Sequence, residues 1–245
     1  MTSAAEHAEA ENAVDGLTPG RRKLVVALDG PGSSGKSSVG AAAALACGYR
    51  FCDTGLLYRA VTWLALARGM SASYPHAMRG LVDEVELVQD DEGRLSRVLV
   101  DGTDHTQDVR GPAVDAAVSV ISAIPELRLA LLERQRALAA PGGIVMAGRD
   151  IGTVVLPDAG LKIYLDASVE ERARRRTEER GLDSAGDEAQ AILAALRRRD
   201  ELDSNRAVAP LRPAADARII ATDGNTFEET IDAVVGAILD AEARA

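Results

Sequence analysis

Residues 24–40 read LVVALDGPGSSGKSSVG, and this stretch satisfies two phosphate-binding patterns at once. Three of its glycines spell G-x-G-x-x-G from Gly30 onward, which is the pattern of dinucleotide-binding loops. The same stretch spells G-x-x-x-x-G-K-S from Gly30 to Ser37, which is the pattern of the Walker A loop. The choice between the two decides whether the chain transfers hydrides or phosphoryl groups.

The residues that follow the glycines favour the Walker A interpretation. Asp53 lies about 20 positions later, where a dinucleotide fold places an acid, so the glycines alone leave both patterns open. Lys36, however, stands where an ammonium group reaches the terminal phosphates, and Ser37 stands where a hydroxyl can ligate Mg²⁺. Lysine is scarce in this chain, which makes a chance match less frequent. We therefore predict an ATP-binding loop formed by Gly30, Pro31, Gly32, Ser33, Ser34, Gly35, Lys36, Ser37 and Ser38.

The order of the predicted elements indicates an α/β fold. An apolar run at 24–28 predicts a buried parallel strand, and the glycine loop leads into a helix that Gly48 is placed to end. The next strand is predicted at 49–53. Further helices and strands are predicted, in chain order, at 56–68, 114–139, 144–147, 161–165 and 216–222. We expect a P-loop NTPase-type fold with a parallel five-stranded sheet flanked by helices.

Local signals refine the ends of several helices. Pro125 is expected to begin a second helical segment within 114–139. Ser168 with Glu171, and Thr226 with Glu229, have the spacing of capping boxes. We therefore expect one helix to begin after Ser168 and the last helix to begin after Thr226.

The domain organisation is predicted from breaks in this pattern. Apolar and polar residues alternate within 81–110, which also contains the hairpin signal Asp101-Gly102, so we predict a small antiparallel insertion there. A single domain is expected at 23–245, with its core at 23–80 and 111–245. Residues 1–22 lack periodicity and are expected to form a disordered tail.

Composition narrows the class of partner. The chain has 245 residues and a net charge of −10, which argues against binding to nucleic acid, since phosphate-backbone affinity needs clustered positive charge. Cys47 and Cys52 have no metal-ligand spacing. An apolar run of about 18 residues, which a membrane span needs, does not occur, and neither does an apolar signal core. We expect no membrane association and a cytoplasmic location.

The remaining motifs distinguish among P-loop proteins. An Asn-Lys pair, which a regulatory GTPase uses to read guanine, does not occur. The strand predicted at 144–147 ends in Ala147 and not in the acid pair of a motor-type ATPase. Arginines are abundant in predicted loops, as phosphoryl transfer requires. These features favour a kinase that acts on a nucleotide or another small molecule.

Four segments, spread from Asp29 to Ala217, carry a resemblance to a known family. They read DGPGSSGKSS, DTGLLYRA, GRDIGTVVLPDAGLKIYLDAS and RRRDELDSNRAVAPLRPAADA. In sequence and order they resemble bacterial cytidylate kinases, which belong to the nucleoside monophosphate kinases. The resemblance implies transfer of the γ-phosphoryl group of ATP to CMP or dCMP with Mg²⁺, in pyrimidine nucleotide metabolism. It also implies a monomer, a nucleoside monophosphate-binding role for the insertion, and a helical lid at 168–190.

The resemblance assigns roles to the acceptor-site residues. It implies that Arg59, Arg149 and Arg206 hold the CMP phosphate, for which a planar guanidinium fork is well suited. A carboxylate at Asp150 would accept a hydrogen bond from the cytosine amine, which uracil replaces with a carbonyl oxygen. The same base is implied to contact Ser119 and Arg128.

The resemblance also assigns the sugar site and the lid. Arg199 and Asp203 are implied to hold the sugar hydroxyl, and their spacing places both on one helix face. Arg172 and Arg176, one turn apart, are implied to clamp the ATP phosphates and neutralise the transferring charge. The predicted catalytic residues are Lys36, Arg149, Arg172, Arg176 and Arg206. The predicted CMP-binding residues are Asp53, Thr54, Tyr58, Arg59, Ser119, Arg128, Arg149, Asp150, Arg199, Asp203 and Arg206, and the predicted metal ligand is Ser37.

Ala147 departs from the family pattern, because an acidic residue commonly precedes the GRD motif. This departure removes an expected outer-sphere support for Mg²⁺, and Asp29 or Asp53 could supply it instead. Two other functions stay open at this point. One is a P-loop kinase for UMP or a small metabolite, and the other is a nucleotide-binding regulatory protein without turnover.

Overall fold

The computed structural model describes residues 23–70 and 75–245, so the tail predicted at 1–22 lies outside the described residues. The strands are β1 (Val25–Asp29), β2 (Arg50–Asp53), β3 (Val85–Gln89), β4 (Arg94–Val100), β5 (Thr103–Asp104), β6 (Ile144–Gly148), β7 (Leu161–Asp166) and β8 (Arg218–Ala221). The α-helices are α1 (Lys36–Ala46), α2 (Gly55–Ala67), α3 (Pro75–Gly80), α4 (Pro112–Ile121), α5 (Pro125–Ala139), α6 (Val169–Glu179), α7 (Asp187–Asn205) and α8 (Phe227–Glu242).

Five consecutive strands of the sheet are parallel, in the order β2-β6-β1-β7-β8. This arrangement confirms the predicted P-loop type of parallel sheet. Because the strands are parallel, the loops that follow β1, β2, β6 and β7 leave the sheet at the same edge. Ligands in open α/β sheets bind outside this carboxyl edge.

Two apolar layers cover the faces of the sheet. Side chains alternate along β1, so Ala27 packs in one layer with α2, α4 and α5, whereas Val26 and Leu28 pack in the other with α1 and α8. The buried residues that α1 contributes to its layer are small, namely Val39, Ala43 and Ala44. A β-carbon on Gly40 would lie 2.7 Å from both Leu28 and Phe51, so α1 approaches the sheet as closely as a glycine allows.

The insertion predicted at 81–110 extends the central sheet. β3 and β5 pair antiparallel with β4, and Asp101 and Gly102 form a tight turn with positive φ between β4 and β5. β4 also pairs parallel with β2, through Phe51 with Arg94. The insertion is therefore hydrogen-bonded to the core along one sheet edge.

The helix ends follow the predicted signals with one exception. Pro125 lies in the first turn of α5, and the Thr226–Glu229 capping box at α8 is complete in both directions. At α6 only half of the predicted box forms, because Ser168 Oγ accepts from the Glu171 backbone N–H but the Ser168 N–H donates to Asp223. The start of α6 is thus tied to the loop after β8. No helix within residues 23–70 and 75–245 has the length and apolar character needed to cross a membrane.

Candidate active site

The glycine loop between β1 and α1 needs glycine at two positions. A β-carbon on Gly30 would lie 2.3 Å from the Leu165 carbonyl oxygen, so no larger residue fits there. Gly35 has φ +88° and lies directly before the first residue of α1. The N-terminus of α1 therefore opens onto the loop, where its free N–H groups and helix dipole favour an anion.

The Lys36 amino group folds back over this loop. Its Nζ donates to the Pro31 carbonyl at 2.5 Å and to Ser34 Oγ at 3.3 Å. Burial and the nearby Arg149 cation lower the pKa of Lys36 well below its usual value. Burial and a neighbouring cation disfavour the charged form of the Lys36 amine. An anionic ligand bound next to it would stabilise that charged form.

Ser37 and Asp53 place two oxygen-bearing side chains next to each other beside the loop. Ser37 Oγ donates to Asp53 Oδ2 at 2.5 Å, while Asp53 Oδ1 accepts from the Gly55 N–H at 2.9 Å. Hard oxygen ligands of this kind suit Mg²⁺, which keeps several waters and takes few protein ligands. No group of three or more His, Cys, Asp or Glu side chains that could hold a metal ion occurs in the described part of the chain.

Asp29, the other acid named as a metal support, has different partners. Its two carboxylate oxygens accept from the backbone N–H groups of Ile151 and Gly152, at 2.8 and 2.7 Å. Burial raises the pKa of Asp29 to about 6, and these two hydrogen bonds oppose the rise. Asp29 therefore anchors the π-helical turn at Ile151–Val155, directly after Asp150, and it is Asp53 that contacts Ser37.

Five arginines line a cleft beside the glycine loop: Arg59, Arg128, Arg149, Arg199 and Arg206. The cleft opens onto the loop, since a β-carbon on Gly32 would lie 3.4 Å from Arg149 Nη2 and 3.6 Å from Arg199 Cδ. Other residues of the cleft wall that were predicted are Asp53, Thr54, Tyr58, Ser119 and Asp203. The structure therefore brings the predicted acceptor residues together next to the predicted ATP loop.

Arg149 and Arg199 occupy the boundary between the loop and the cleft. Arg149 Nε donates to Asp203 Oδ2 at 2.9 Å. Arg199 Nε is buried and has no hydrogen-bond partner among the described residues, with Asp203 4.0 Å away. Burial and the neighbouring Arg149 lower the pKa of Arg199 to about 10. A buried donor without a partner is costly, so this nitrogen is a position that a ligand oxygen would satisfy.

Asp150 lies behind two of these arginines and is not on the cleft wall. Its oxygens accept from Arg128 Nη2 at 2.5 Å and Arg206 Nη2 at 3.1 Å, and the three side chains are each no more than 7% exposed. Arg128 also lies over the ring of Tyr58, 5.4 Å from its centroid. A carboxylate has about four acceptor directions, so Asp150 retains acceptor capacity beyond its two arginines.

The smaller predicted residues have mixed positions. Thr54 is buried, and both its hydroxyl and its N–H donate to the Ala147 carbonyl, at 2.9 and 3.0 Å. This contact ties β2 to the end of β6. Ser119 is half-buried on the cleft wall, on α4.

The two predicted lid arginines differ in how far their donors are used. Arg172 is buried and donates to the carbonyls of Ala167 and Gly32 and to both oxygens of Asp200, so it joins α6 to the glycine loop and to α7. Arg176 is half-buried, and its Nη1 donates to Ser33 Oγ at 3.2 Å. In this conformation Arg176 is the lid arginine with capacity for a further ligand.

Sequence reasoning missed several residues of the cleft: Gly55, Val118, Ser122 and Gly148. It also missed Asp115, which contacts both Arg59 and Arg176. Asp115 and Ser119 lie on α4 and Ser122 follows directly after it, all at helical spacing, so the signal that could have found Asp115 and Ser122 was the face shared with the predicted Ser119.

A Walker A loop on a parallel sheet, with an arginine-lined cleft beside it, defines a P-loop kinase for a small acceptor. A family model described as cytidylate kinase matches residues 26–240. The chain belongs to the cytidylate kinase family, which confirms the resemblance seen in its motifs.

Individual relatives agree with this membership. The chain is 47% identical over 210 residues to a cytidylate kinase of Nocardia farcinica, covering 85% of this chain and 90% of that protein. It is 44% identical over 223 residues to a cytidylate kinase of Symbiobacterium thermophilum, covering 89% and 97%. Among solved structures, a shikimate kinase from Bacteroides thetaiotaomicron aligns with a TM-score of 0.47 and 11% identity, covering 89% of this chain and 98% of that one.

Proposed function

We propose that this chain transfers the γ-phosphoryl group of ATP to CMP or dCMP, giving ADP and CDP or dCDP. Family membership supports this reaction, since the relatives named above are cytidylate kinases. The observation that carries the proposal is the position of Arg149 and Arg199 against Gly32. A cleft rich in guanidinium groups that opens onto a Walker A loop allows two mutually repelling phosphates to meet.

The charge of the cleft matches a phosphate acceptor. The five guanidinium groups of the cleft form ion pairs with three carboxylates, those of Asp115, Asp150 and Asp203, so these groups together carry two more positive than negative charges. A nucleoside monophosphate carries about two negative charges at pH 7. Its phosphate oxygens are already ionised, so the acceptor needs no general base, and catalysis rests on positioning and electrostatic stabilisation.

Roles within the cleft follow from these positions. Arg59, Arg149 and Arg206 would hold the acceptor phosphate. Arg199 and Asp203 would hold the sugar, and the unpartnered Arg199 Nε supports a contact with a ligand oxygen.

The base would lie against the cleft wall at Ser119. Arg128 and Asp150 would distinguish cytosine from uracil, Asp150 through the acceptor capacity that its two arginines leave free.

Lys36, Arg172 and Arg176 would act on the donor side. Lys36 would bridge the phosphates of ATP, and Arg176 would reach them from its position at Ser33. Arg172 would hold the lid helix to the glycine loop through Gly32. Closure of this lid would exclude water, which otherwise competes as the phosphoryl acceptor.

Magnesium is the cation that the site would use. Ser37 would ligate the ion, and Asp53, which contacts the Ser37 hydroxyl, would orient that ligand. The ion supplies neutralisation of charge on the donor phosphates when it is bound. We further propose that the enzyme is located in the cytoplasm and is a monomer. Sedimentation of the purified chain would test its oligomeric state.

Release of ADP tests the reaction. The full chain is incubated with ATP, Mg²⁺ and one nucleoside monophosphate at a time, and ADP is measured by a coupled assay. We expect CMP and dCMP to stimulate release strongly and UMP to do so weakly. Stimulation by UMP alone would favour a uridylate kinase, and binding of ATP without stimulated release would favour a regulatory protein.

A further inference from the structure

Asp115 connects the acceptor cleft to the lid. It lies on α4, and its two carboxylate oxygens contact arginines from two different helices. Oδ1 accepts from Arg59 Nη2 on α2 at 2.5 Å, and Oδ2 lies 3.5 Å from Arg176 Nη2 on α6. One carboxylate thus bridges a cation of the acceptor cleft and a cation of the lid.

Both arginines have a second contact that marks their place in the site. Arg59 lines the acceptor cleft and donates through Nη1 to the Val109 carbonyl at 3.2 Å. Arg176 donates to Ser33 in the glycine loop. Asp115 therefore stands between the two positions where the acceptor phosphate and the donor phosphates would bind, and it carries the same sign of charge as both.

The Asp115 carboxylate lies where a phosphate could replace it as the partner of the two arginines. The Asp115 side chain is 28% exposed, whereas the Asp150 carboxylate, which also contacts two arginines, is 6% exposed. Ion pairs of partly exposed groups contribute little net stability, so their partners exchange readily. A phosphate has more negative charge and more acceptor oxygens than a carboxylate, and it would compete successfully for the same guanidinium donors.

We propose that Asp115 is a positioning residue that occupies Arg59 and Arg176 in the free enzyme and releases both when the acceptor phosphate binds. The proposal rests on the proposed function, because it takes the acceptor to be a nucleoside monophosphate. Its consequence is a coupling between the two substrates. Binding of CMP displaces Asp115 from Arg59, and Arg176 loses the same carboxylate partner and turns to the donor phosphates.

Substitution of Asp115 by asparagine removes the competing charge and keeps the shape of the side chain. We expect Asp115→Asn to lower the dissociation constant for CMP, measured by calorimetry, by about three- to tenfold. The change should appear in KM for CMP and not in kcat, and Asp115→Glu should restore the weaker binding. The matched control is Glu86→Gln, which removes one exposed negative charge on β3, away from both arginines.

The effect of CMP on the affinity for an ATP analogue is a second measurement, and it would not change if Asp115 had only a structural role. The dissociation constant of a non-hydrolysable ATP analogue is measured with and without CMP, in the presence of Mg²⁺. In the unsubstituted enzyme we expect CMP to strengthen binding of the analogue several-fold, and by reciprocity the analogue strengthens binding of CMP equally. In Asp115→Asn the analogue should bind tightly without CMP, and the effect of CMP should largely disappear.

The outcomes separate this inference from the proposed function. Weaker CMP binding in Asp115→Asn would show that the carboxylate preorganises the arginines, and it would overturn the proposal. Unchanged coupling would overturn it as well. If the unsubstituted enzyme neither binds nor phosphorylates CMP, the proposed function fails, whereas normal turnover with no effect at Asp115 rejects the inference alone.

Discussion

Substitution of Asp150 by asparagine should change both the stability and the base selectivity of this enzyme. The substitution preserves the size of the side chain but removes a negative charge that two buried arginines share. Arg128 would keep the Ser122 carbonyl as a partner, at 3.1 Å, and Arg206 would keep the Ala209 carbonyl, at 2.5 Å. Both guanidinium groups would remain charged and buried without a carboxylate.

The magnitude of each effect follows from this arrangement. Breaking a buried ion pair by removing one partner costs about 3–5 kcal/mol, and the retained amide oxygen and carbonyl contacts favour the lower value. For a chain of this size, about 3 kcal/mol corresponds to a decrease in Tm of about 6–12 °C. A lost base contact is worth about 1–3 kcal/mol of discrimination, so the preference for CMP over UMP should fall by about 5- to 150-fold.

The direction of the selectivity change also has a physical cause. An asparagine amide has one acceptor oxygen and one donor nitrogen. Arg128 and Arg206 present only donors, so they attract the oxygen and leave the NH₂ group to face the base. Uracil O4 accepts from that group and the cytosine amine does not, so kcat/KM should rise for UMP as it falls for CMP.

The assay measures kcat/KM for CMP and for UMP on the same preparation, at a temperature well below the Tm of the variant. The ratio of the two values is independent of the fraction of active protein, so loss of stability cannot imitate loss of selectivity. Leu131→Ala serves as the control, because Leu131 is fully buried on α5 and its truncation lowers stability without altering Asp150. A folded Asp150→Asn enzyme with an unchanged ratio would refute the base-reading role.

Three other substitutions test the donor side and the buried acid. Lys36→Met should reduce kcat by about 10²–10³-fold, and calorimetry should show an unchanged or higher Tm, because burial already lowers the pKa of Lys36; near-normal turnover would contradict its role. Asp53→Asn should raise the Mg²⁺ concentration for half-maximal activity by about 10- to 100-fold. An equal rise in Asp29→Asn would contradict the assignment of metal support to Asp53. The pKa of Asp29 rises from 3.8 to about 6 on folding, so the native state binds more protons across this range. Between pH 4 and pH 7 the unsubstituted protein should therefore lose on the order of 2–3 kcal/mol of stability relative to Asp29→Asn in urea titrations, and a constant difference would argue against the raised pKa.

The parts of the fold that depend on local chemistry were predictable from the sequence. The Walker A loop, the five core strands and the Thr226 capping box each depend on residues within a short segment. The pairing of β4 with β2 joins Phe51 to Arg94, and no local pattern encodes that register. The Ser168 capping box is incomplete for a similar reason, because the Ser168 backbone N–H donates to Asp223, which is distant in the sequence.

The sequence predicted most of the residues that line the cleft but not the contacts among them. Arg172 and Arg176 lie one turn apart on α6, and the sequence gives them the same expected role. The structure separates them because Asp200, on α7, neutralises Arg172. Asp115 was not predicted as a site residue because an acid in the first turn of a helix is already expected from its favourable interaction with the helix dipole.

The acids of the site differ in burial, and we infer that this difference divides them into permanent and exchangeable partners of the arginines. Asp150 and Asp203 are about 6% exposed, so the arginines they bind stay in place whether or not a ligand is present. This arrangement preorganises the cleft, since little rearrangement is needed when the phosphate arrives. Asp115 is more exposed and gives up its arginines at low cost. Selectivity should therefore respond most to changes at the buried acids, and substrate affinity should respond most to changes at Asp115.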